Sequence, residues 1–367
     1  MTFTSPELSI VVPTFNEKQN VVRLVDRITV ALPDVSWEIL FVDDDSPDGT
    51  AELVRGLGEH DVRIRCIQRL NRRGLASACI EGMLTSSATF LGVMDADLQH
   101  DETLLQAMIQ TLKDDEADLV LGSRYAPGGS IGRWCRSRTQ LSKAATKVSL
   151  WILGRPLHDP MSGFFMLRRS TFMAVVRRLG DDGFKLLFDI LASSPDPLRL
   201  KELPYVFRER EFGNSKLDWR VGWEFGIALL TKCVRGHLSP RFLSFCIIGG
   251  FGVIVHFVTL TILFRGCELT FMKSQGFATL IAMTINFYWN NLLTYRDVRL
   301  RGFRWLTGWL SFALTSSVGA IANVGIASIF FDAGVGWVSA ALAGVAIGAI
   351  WNYGVNSTYT WGSWQKS

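Results

Sequence analysis

Paired cysteines are what this chain most plainly lacks. Its six, Cys66, Cys79, Cys135, Cys233, Cys246 and Cys267, contain no C-x-x-C spacing and sit mostly in apolar surroundings. They read as reduced packing residues rather than as a disulfide framework or a zinc site. Net charge is also scarce, +4 over 367 residues, which gives a nucleic-acid partner no support. The local Arg clusters are explained more simply by phosphate ligands and anionic headgroups. No membrane-inserting leader is expected at the N-terminus, because Met1 to Glu7 is polar and the apolar stretch behind it ends at Pro13.

Long apolar runs are absent from the first 230 or so residues and abundant after them. Phe242 to Phe264, Gly276 to Leu293, Leu306 to Phe331 and Val335 to Val355 each approach the roughly 20 residues that a helix needs to cross a bilayer. Two domains are expected: a soluble one over 1–230 and a transmembrane one over 231–367, with helices near 241–264, 274–295, 305–331 and 335–357. The segment Arg296 to Arg304 carries Arg296, Arg299, Arg301 and Arg304 against Asp297, whereas Asp332 to Trp337 has no Lys or Arg. Basic connections stay inside, so the expectation is a multi-pass protein of the cell membrane with its soluble domain cytoplasmic.

Within the soluble part, short β-branched runs alternate with helical periodicity. Strands are expected at Leu8 to Pro13, Trp37 to Asp43, Arg63 to Gln68 and Phe90 to Met94, and helices at Glu17 to Leu32, Thr50 to Leu57 and Gly74 to Ser86. That alternation predicts an α/β fold with a parallel sheet covered on both faces, whose ligands bind beyond the carboxyl ends of the strands. The polar residues there are Thr14 to Glu17, Asp43 to Asp48, Asp95 to Gln99 and Ser123 to Tyr125.

The apolar part is internally duplicated. Asn286, Asn290, Thr294 and Tyr295 recur as Asn352, Asn356, Thr360 and Trp361, and Leu243-Ser-Phe245 with Gly252 recurs as Leu310-Ser-Phe312 with Gly319. Two helical hairpins of one design follow. Asn pairs inside an apolar span should face neighbouring helices or a polar cavity, either to make interhelical hydrogen bonds or to serve a lipid phosphate or transport.

Chemistry concentrates at Asp95-Ala-Asp97-Leu-Gln99, two carboxylates and an amide on alternate residues just past a strand. Hard oxygen donors so arranged suit Mg²⁺ or Mn²⁺ shared with a diphosphate. The run Asp43-Asp44-Asp45-Ser-Pro-Asp48 follows another strand. Its carboxylates repel unless they are paired, hydrogen-bonded or used by a ligand. Asp48 or Ser46 suits a helix cap, and Asp44 suits recognition of a base or ribose. Cations are supplied by Arg124, by Arg133, Arg136, Arg138 and Lys143, and by Arg210 and Lys216 on either side of Gly213. The 133–143 cluster also fits electrostatic attachment to a bilayer, beside an amphipathic stretch from Leu141 to Leu153.

These runs resemble the dolichol-phosphate mannose synthases of glycosyltransferase family 2, and the C-terminal part is similar to the GtrA-like four-helix membrane domain. The matching segments are Val11 to Glu17, Val42 to Thr50, Met94 to His100, Gly122 to Tyr125, Asp159 to Phe165 and Arg210 to Lys216. The resemblance implies a GT-A, Rossmann-like fold in which Pro13, Phe15, Glu17, Val42 and Asp44 line a nucleoside pocket. Asp95, Ala96, Asp97 and Gln99 would meet metal and diphosphate, helped by Arg210 and Lys216, while Arg124, Arg138 and Ser142 would bind the acceptor phosphate. It further implies GDP-mannose as donor, a polyprenyl or dolichyl phosphate as acceptor, and Asp95, Asp97 and Arg124 as the catalytic set. UDP-glucose is the alternative donor, glycolipid flipping by the helices is a reading of another class, and a homo-oligomer is left open. Two departures stand out: Phe15 where Tyr is frequent, and Asp101 where Pro is usual. The turn at Asp159 to Phe165 either is structural or shapes the sugar pocket.

Overall fold

A computed structural model describes residues 5–131, 146–180, 185–210, 219–234 and 238–362. The chain divides into two compact units, Met1–Lys232 and Cys233–Ser367.

The first unit is built on one sheet. Strands β1 (Leu8–Thr14), β2 (Trp37–Asp43), β3 (Ile64–Gln68), β4 (Phe90–Val93), β5 (Leu119–Ser123), β6 (Phe165–Arg168) and β7 (Leu200–Pro204) lie in the order β3-β2-β1-β4-β6-β5-β7. β2 is buried along its whole length and β1 almost so, as expected of apolar runs covered on both faces. Helix α1 (Lys18–Ala31) buries Val21, Leu24, Val25 and Ile28, the i, i+3, i+4, i+7 stripe of an amphipathic helix. It shares one core layer with α2 (Thr50–His60) and α4 (Leu104–Lys113). The opposite layer holds α3 (Leu75–Thr85), α6 (Arg169–Val175) and α7 (Leu186–Ser193), with the described part of α5 (146–153) against it. Gly82 lets α3 lie close on the sheet, since a Cβ there would stand 2.5 Å from a Val11 methyl.

The expectation of a wholly parallel sheet needs one correction. β6 runs antiparallel to both β4 and β5, with Val93 opposite Phe165 and Phe90 opposite Arg168. An antiparallel strand starts where its neighbours finish. The turn in front of β6, Asp159 to Phe164, is thereby delivered to the carboxyl ends of β4 and β5.

Beyond α8 (Trp219–Cys233), the second unit consists of α9 (Pro240–Thr261), α10 (Phe271–Trp289), α11 (Phe303–Asp332) and α12 (Trp337–Val355). Single π turns extend α9, α10 and α12 to Gly266, Thr294 and Thr360. Pro240–Gly266 and Phe303–Phe330 are long and apolar enough to cross a membrane, by length and composition. The duplicated residues pack as duplicates. Ser244 and Thr294 hydroxyls lie 2.8 Å apart, and their counterparts Ser311 and Thr360 lie 3.0 Å apart. Asn286 packs against Gly252 and Asn352 against Gly319, where a Cβ would meet the amide oxygens at 2.2 and 2.1 Å. Asn290 and Asn356 donate from Nδ2 to the carbonyls of Asn286 and Asn352 at 2.9 and 2.8 Å. The amides therefore do face neighbouring helices, as close packing against glycine; the interhelical hydroxyl pairs are made by Ser and Thr.

Candidate active site

Loops converge at the carboxyl ends of the strands, and four of them share a backbone feature. Asn16, Asp45, Asn71 and Leu98, one in each loop after β1 to β4, have φ of 56°, 58°, 55° and 61°. Asn and Asp tolerate this left-handed conformation; for the buried Leu98 it is a strained one, imposed by the acidic turn around it.

That turn is fixed at both ends. The Asp95 N–H donates to His100 Nδ1 at 3.2 Å, and the Gln99 N–H donates to Asp97 Oδ1 at 3.2 Å. His100 stacks on Phe164 with centroids 5.1 Å apart and planes 11° from parallel. Gln99 ties the turn to the strand-like segment after β7: its Nε2 donates to the Arg208 carbonyl, and the Arg208 N–H donates to the Gln99 carbonyl, both at 2.9 Å. Arg210 Nη2 donates to Asp97 Oδ2 at 2.6 Å. Gly163 completes the crevice, because a Cβ there would stand 3.2 Å from Asp95 Oδ2.

Burial raises the Asp95 pKa above the ordinary carboxyl value; His100 pulls it down and Asp97 pushes it further up. Burial lowers that of His100, so the imidazole is held neutral. A cation between the carboxylates would relieve the strain on Asp95, and the carboxylate and amide oxygens here are donors of the hard kind that Mg²⁺ and Mn²⁺ accept. No group of three or more His, Cys, Asp or Glu side chains poised to hold a metal occurs among the described residues. Two carboxylates and one amide are a donor set that a ligand's phosphates would have to complete.

Each carboxylate of the Asp43 to Asp48 run has a donor. Asp43 accepts from the Ser46 N–H at 2.8 Å and Thr14 Oγ1 at 3.1 Å. Asp44 accepts from Arg69 Nε at 2.7 Å and from the Gly74 N–H at 2.8 Å. Asp45 accepts from Gln68 Nε2 at 3.0 Å, while Asp48 accepts the Thr50 N–H at 3.0 Å and the Lys18 N–H at 3.2 Å. Asp48 thus accepts the first N–H of α2, but the cap position itself is Gly49, so neither Asp48 nor Ser46 is the cap residue that the spacing suggested. Asp44 anchors the loop after β3, a segment that the sequence reading passed over although the same strand-end rule covers it. Arg69, Arg72 and Arg73 are its signal. Glu17 is buried and accepts from Asn20 Nδ2 at 2.7 Å; Pro13 and Val42 are paired in register at the ends of β1 and β2.

Arg124 enters a sealed ion pair: Nε donates to Asp159 Oδ2 at 2.7 Å and Nη2 to Oδ1 at 2.9 Å, with Asp159 wholly buried. Ser162 Oγ donates to the Gly122 carbonyl at 2.7 Å. The Asp159 to Phe165 turn is therefore a buckle that also supplies Gly163 to the Asp95 crevice. Beside Arg124 a cavity of about 260 Å³ is lined by Tyr125, Thr146, Lys147, Leu150 and His158. Arg138, Ser142 and Lys216 lie outside the described residues. Pro13, Phe15, Glu17, Val42, Asp44, Asp95, Ala96, Asp97, Gln99, Arg124 and Arg210 all fall at one end of the sheet.

An α/β sheet with an acidic turn at its central strand end, joined to long apolar helices, defines a membrane-anchored GT-A glycosyltransferase. Residues 9–176 match the family model described as Glycosyl transferase family 2, and residues 244–361 match the transmembrane domain of GtrA/DPMS. A dolichol-phosphate mannosyltransferase of Pyrococcus furiosus is 33% identical over 363 residues, 97% of this chain and 99% of that one. One of Saccharomyces cerevisiae is 36% identical over 229 residues, 59% of this chain and 83% of that one. Among solved structures, glucosyl-3-phosphoglycerate synthase of Mycobacterium tuberculosis in complex with UDP aligns with a TM-score of 0.48 and 19% identity, over 62% of this chain and 80% of that chain. The chain belongs to glycosyl transferase family 2, in the group that contains the dolichol-phosphate mannosyltransferases.

Proposed function

We propose that this enzyme transfers mannose from GDP-mannose to the phosphate of a polyprenyl or dolichyl lipid, with inversion at the anomeric carbon. The observation that carries the reading is the Asp95 to His100 turn at the end of β4, with Arg210 against Asp97, one strand from Phe15. The sugar and acceptor are supported by the names of the two mannosyltransferase relatives.

In this reading Pro13, Phe15, Glu17, Val42 and Asp44 seat the nucleoside, and Arg210 and Lys216 hold the diphosphate near Ala96. A Mg²⁺ or Mn²⁺ ion bound by Asp95, Asp97 and Gln99 supplies positive charge to the departing diphosphate. A lipid phosphate oxygen attacks the anomeric carbon, the bond from that carbon to the donor's diphosphate oxygen breaks, and its electron pair leaves on GDP. The nucleophile arrives ionised, so no side chain needs to take a proton, and catalysis rests on alignment and electrostatics. Arg124, oriented by Asp159, attracts the acceptor phosphate together with Arg138 and Ser142. The four helices α9 to α12 serve as a multi-pass anchor in the cell membrane. Arg296, Arg299, Arg301 and Arg304, between the second and third, favour a cytoplasmic catalytic unit.

The test is to incubate purified full-length protein with a polyprenyl phosphate and either GDP-mannose or UDP-glucose, with and without a chelator, and to look for glycolipid. Product from GDP-mannose alone, abolished by the chelator, is expected. Glycolipid from UDP-glucose only would replace the donor, and undiminished turnover with the chelator would overturn the metal assignment.

A further inference from the structure

Three arginines follow β3, and the structure gives two of them charged partners. Arg69 is buried against Asp44, and Arg72 Nη2 donates to Glu81 Oε1 at 3.0 Å. The third, Arg73, is exposed and has no hydrogen-bond or ion-pair partner among the described residues. Its guanidinium carbon instead lies 4.1 Å from the centre of the Phe15 ring. The loop that presents it is not slack: the Arg69 N–H donates to the Asp43 carbonyl at 2.8 Å, and the Gly74 N–H donates to Asp44 Oδ2 at 2.8 Å. Both anchors belong to the end of β2, so the backbone on either side of Arg73 is fixed while its exposed side chain lies over the Phe15 ring.

We propose that Arg73 reads the nucleobase of the donor and that the base it selects is guanine. The inference rests on the reading above that these loops hold a nucleoside diphosphate sugar, and it names the chemistry that chooses the nucleotide. Phe15 offers an apolar ring on which a base stacks, and a base seated there displaces the guanidinium to its own edge. A guanidinium presents parallel N–H donors and no acceptor. Guanine presents two adjacent acceptors, O6 and N7, on a single edge, which is the complementary pattern. Adenine sets an N–H₂ donor beside N7, and uracil separates its carbonyl oxygens with an N–H, so neither satisfies the fork twice. Losing one of two such bonds corresponds to roughly a 10- to 100-fold change in affinity.

Calorimetric titration of the full-length protein with GDP, 7-deaza-GDP and UDP, each with Mg²⁺, tests this directly. Wild type is expected to bind GDP roughly 10- to 100-fold more tightly than the other two. Arg73→Ala should bring the three within a few-fold of one another. Arg73→Lys, which keeps the charge but not the fork, should also lose the preference for GDP over 7-deaza-GDP. An equal loss for all three nucleotides in Arg73→Ala would place the residue on the diphosphate and overturn the proposal, as would an unchanged preference in that variant. Those failures leave tight GDP binding by the wild type intact; a wild type that binds none of the nucleotides would instead remove the nucleotide-sugar reading itself.

Discussion

Tyr295 and Trp361 stack face to face, their ring centroids 4.0 Å apart and their planes 7° from parallel. They occupy the same position in the two duplicated halves of the helical unit, so each touches its own equivalent. A contact between equivalent residues is the mark of an approximate two-fold arrangement. Trp361 is wholly buried, also stacks on Phe287, and donates from Nε1 to Asn291 Oδ1 at 3.2 Å. Trp361→Ala should cost about 3–5 kcal/mol and lower the melting temperature in detergent, whereas Trp361→Tyr, the residue of the other half, should cost clearly less. Equal losses in the two variants would refute the equivalence.

Gly252 and Gly319 are predicted to tolerate no side chain unless the facing amide is shortened. Gly252→Ala alone should destabilise α9 against α10, because its Cβ would lie 2.2 Å from Asn286 Oδ1. The double variant Gly252→Ala with Asn286→Ala should recover much of that loss, a coupling of about 0.5–3 kcal/mol in a thermal double-mutant cycle. Strict additivity of the two single effects would show that the contact is not what sets the helix spacing.

The Arg124–Asp159 pair makes a different prediction. Arg124→Leu leaves the Asp159 carboxylate buried and unpaired and should cost about 3–5 kcal/mol, whereas Arg124→Leu with Asp159→Leu should be closer to neutral. Neither should turn over if Arg124 also serves the acceptor. Chemical unfolding and glycolipid formation, measured on the same preparations, separate the structural role from the functional one.

Acid should weaken the loop between β2 and α2 through Asp48. Burial tends to raise its pKa, but hydrogen bonds from the Thr50 hydroxyl, the Lys18 N–H and the Thr50 N–H outweigh it and hold the carboxyl below its model-compound value of 3.8. A depressed carboxylate contributes stability above its unfolded pKa and loses it as pH falls through the folded one. Melting temperature should therefore drop more steeply between pH 5 and about pH 3 in the wild type than in Asp48→Asn. Parallel curves for the two proteins would contradict this.

How much of this was legible beforehand follows from what each residue depends on. β1, β2 and β4 are central, buried strands, and their unbroken apolar runs declare them, as do the long apolar stretches of α9 to α12. The acidic turn was visible because its residues are neighbours in the chain. β6 was not, because four residues carry no period and its antiparallel direction depends on a connection through the fold. Asp159 could not be matched to Arg124 for a similar reason: thirty-five positions separate them, and only the sheet brings them together. The arginines after β3 went unread, because nothing in the sequence ties Arg69 to Asp44 across twenty-five positions. Asp44 itself, expected at the nucleoside, holds their loop through Arg69 and the Gly74 N–H.

The repeated unit of the second half contains two helices, and that parity has a consequence for how such a domain could arise. A hairpin brings the chain back to the side from which it set out, so a second copy joined end to end begins in the same orientation as the first. Had the ancestral piece held one helix or three, tandem copying would have produced an upside-down partner, and Tyr295 and Trp361 would sit at opposite ends instead of against each other.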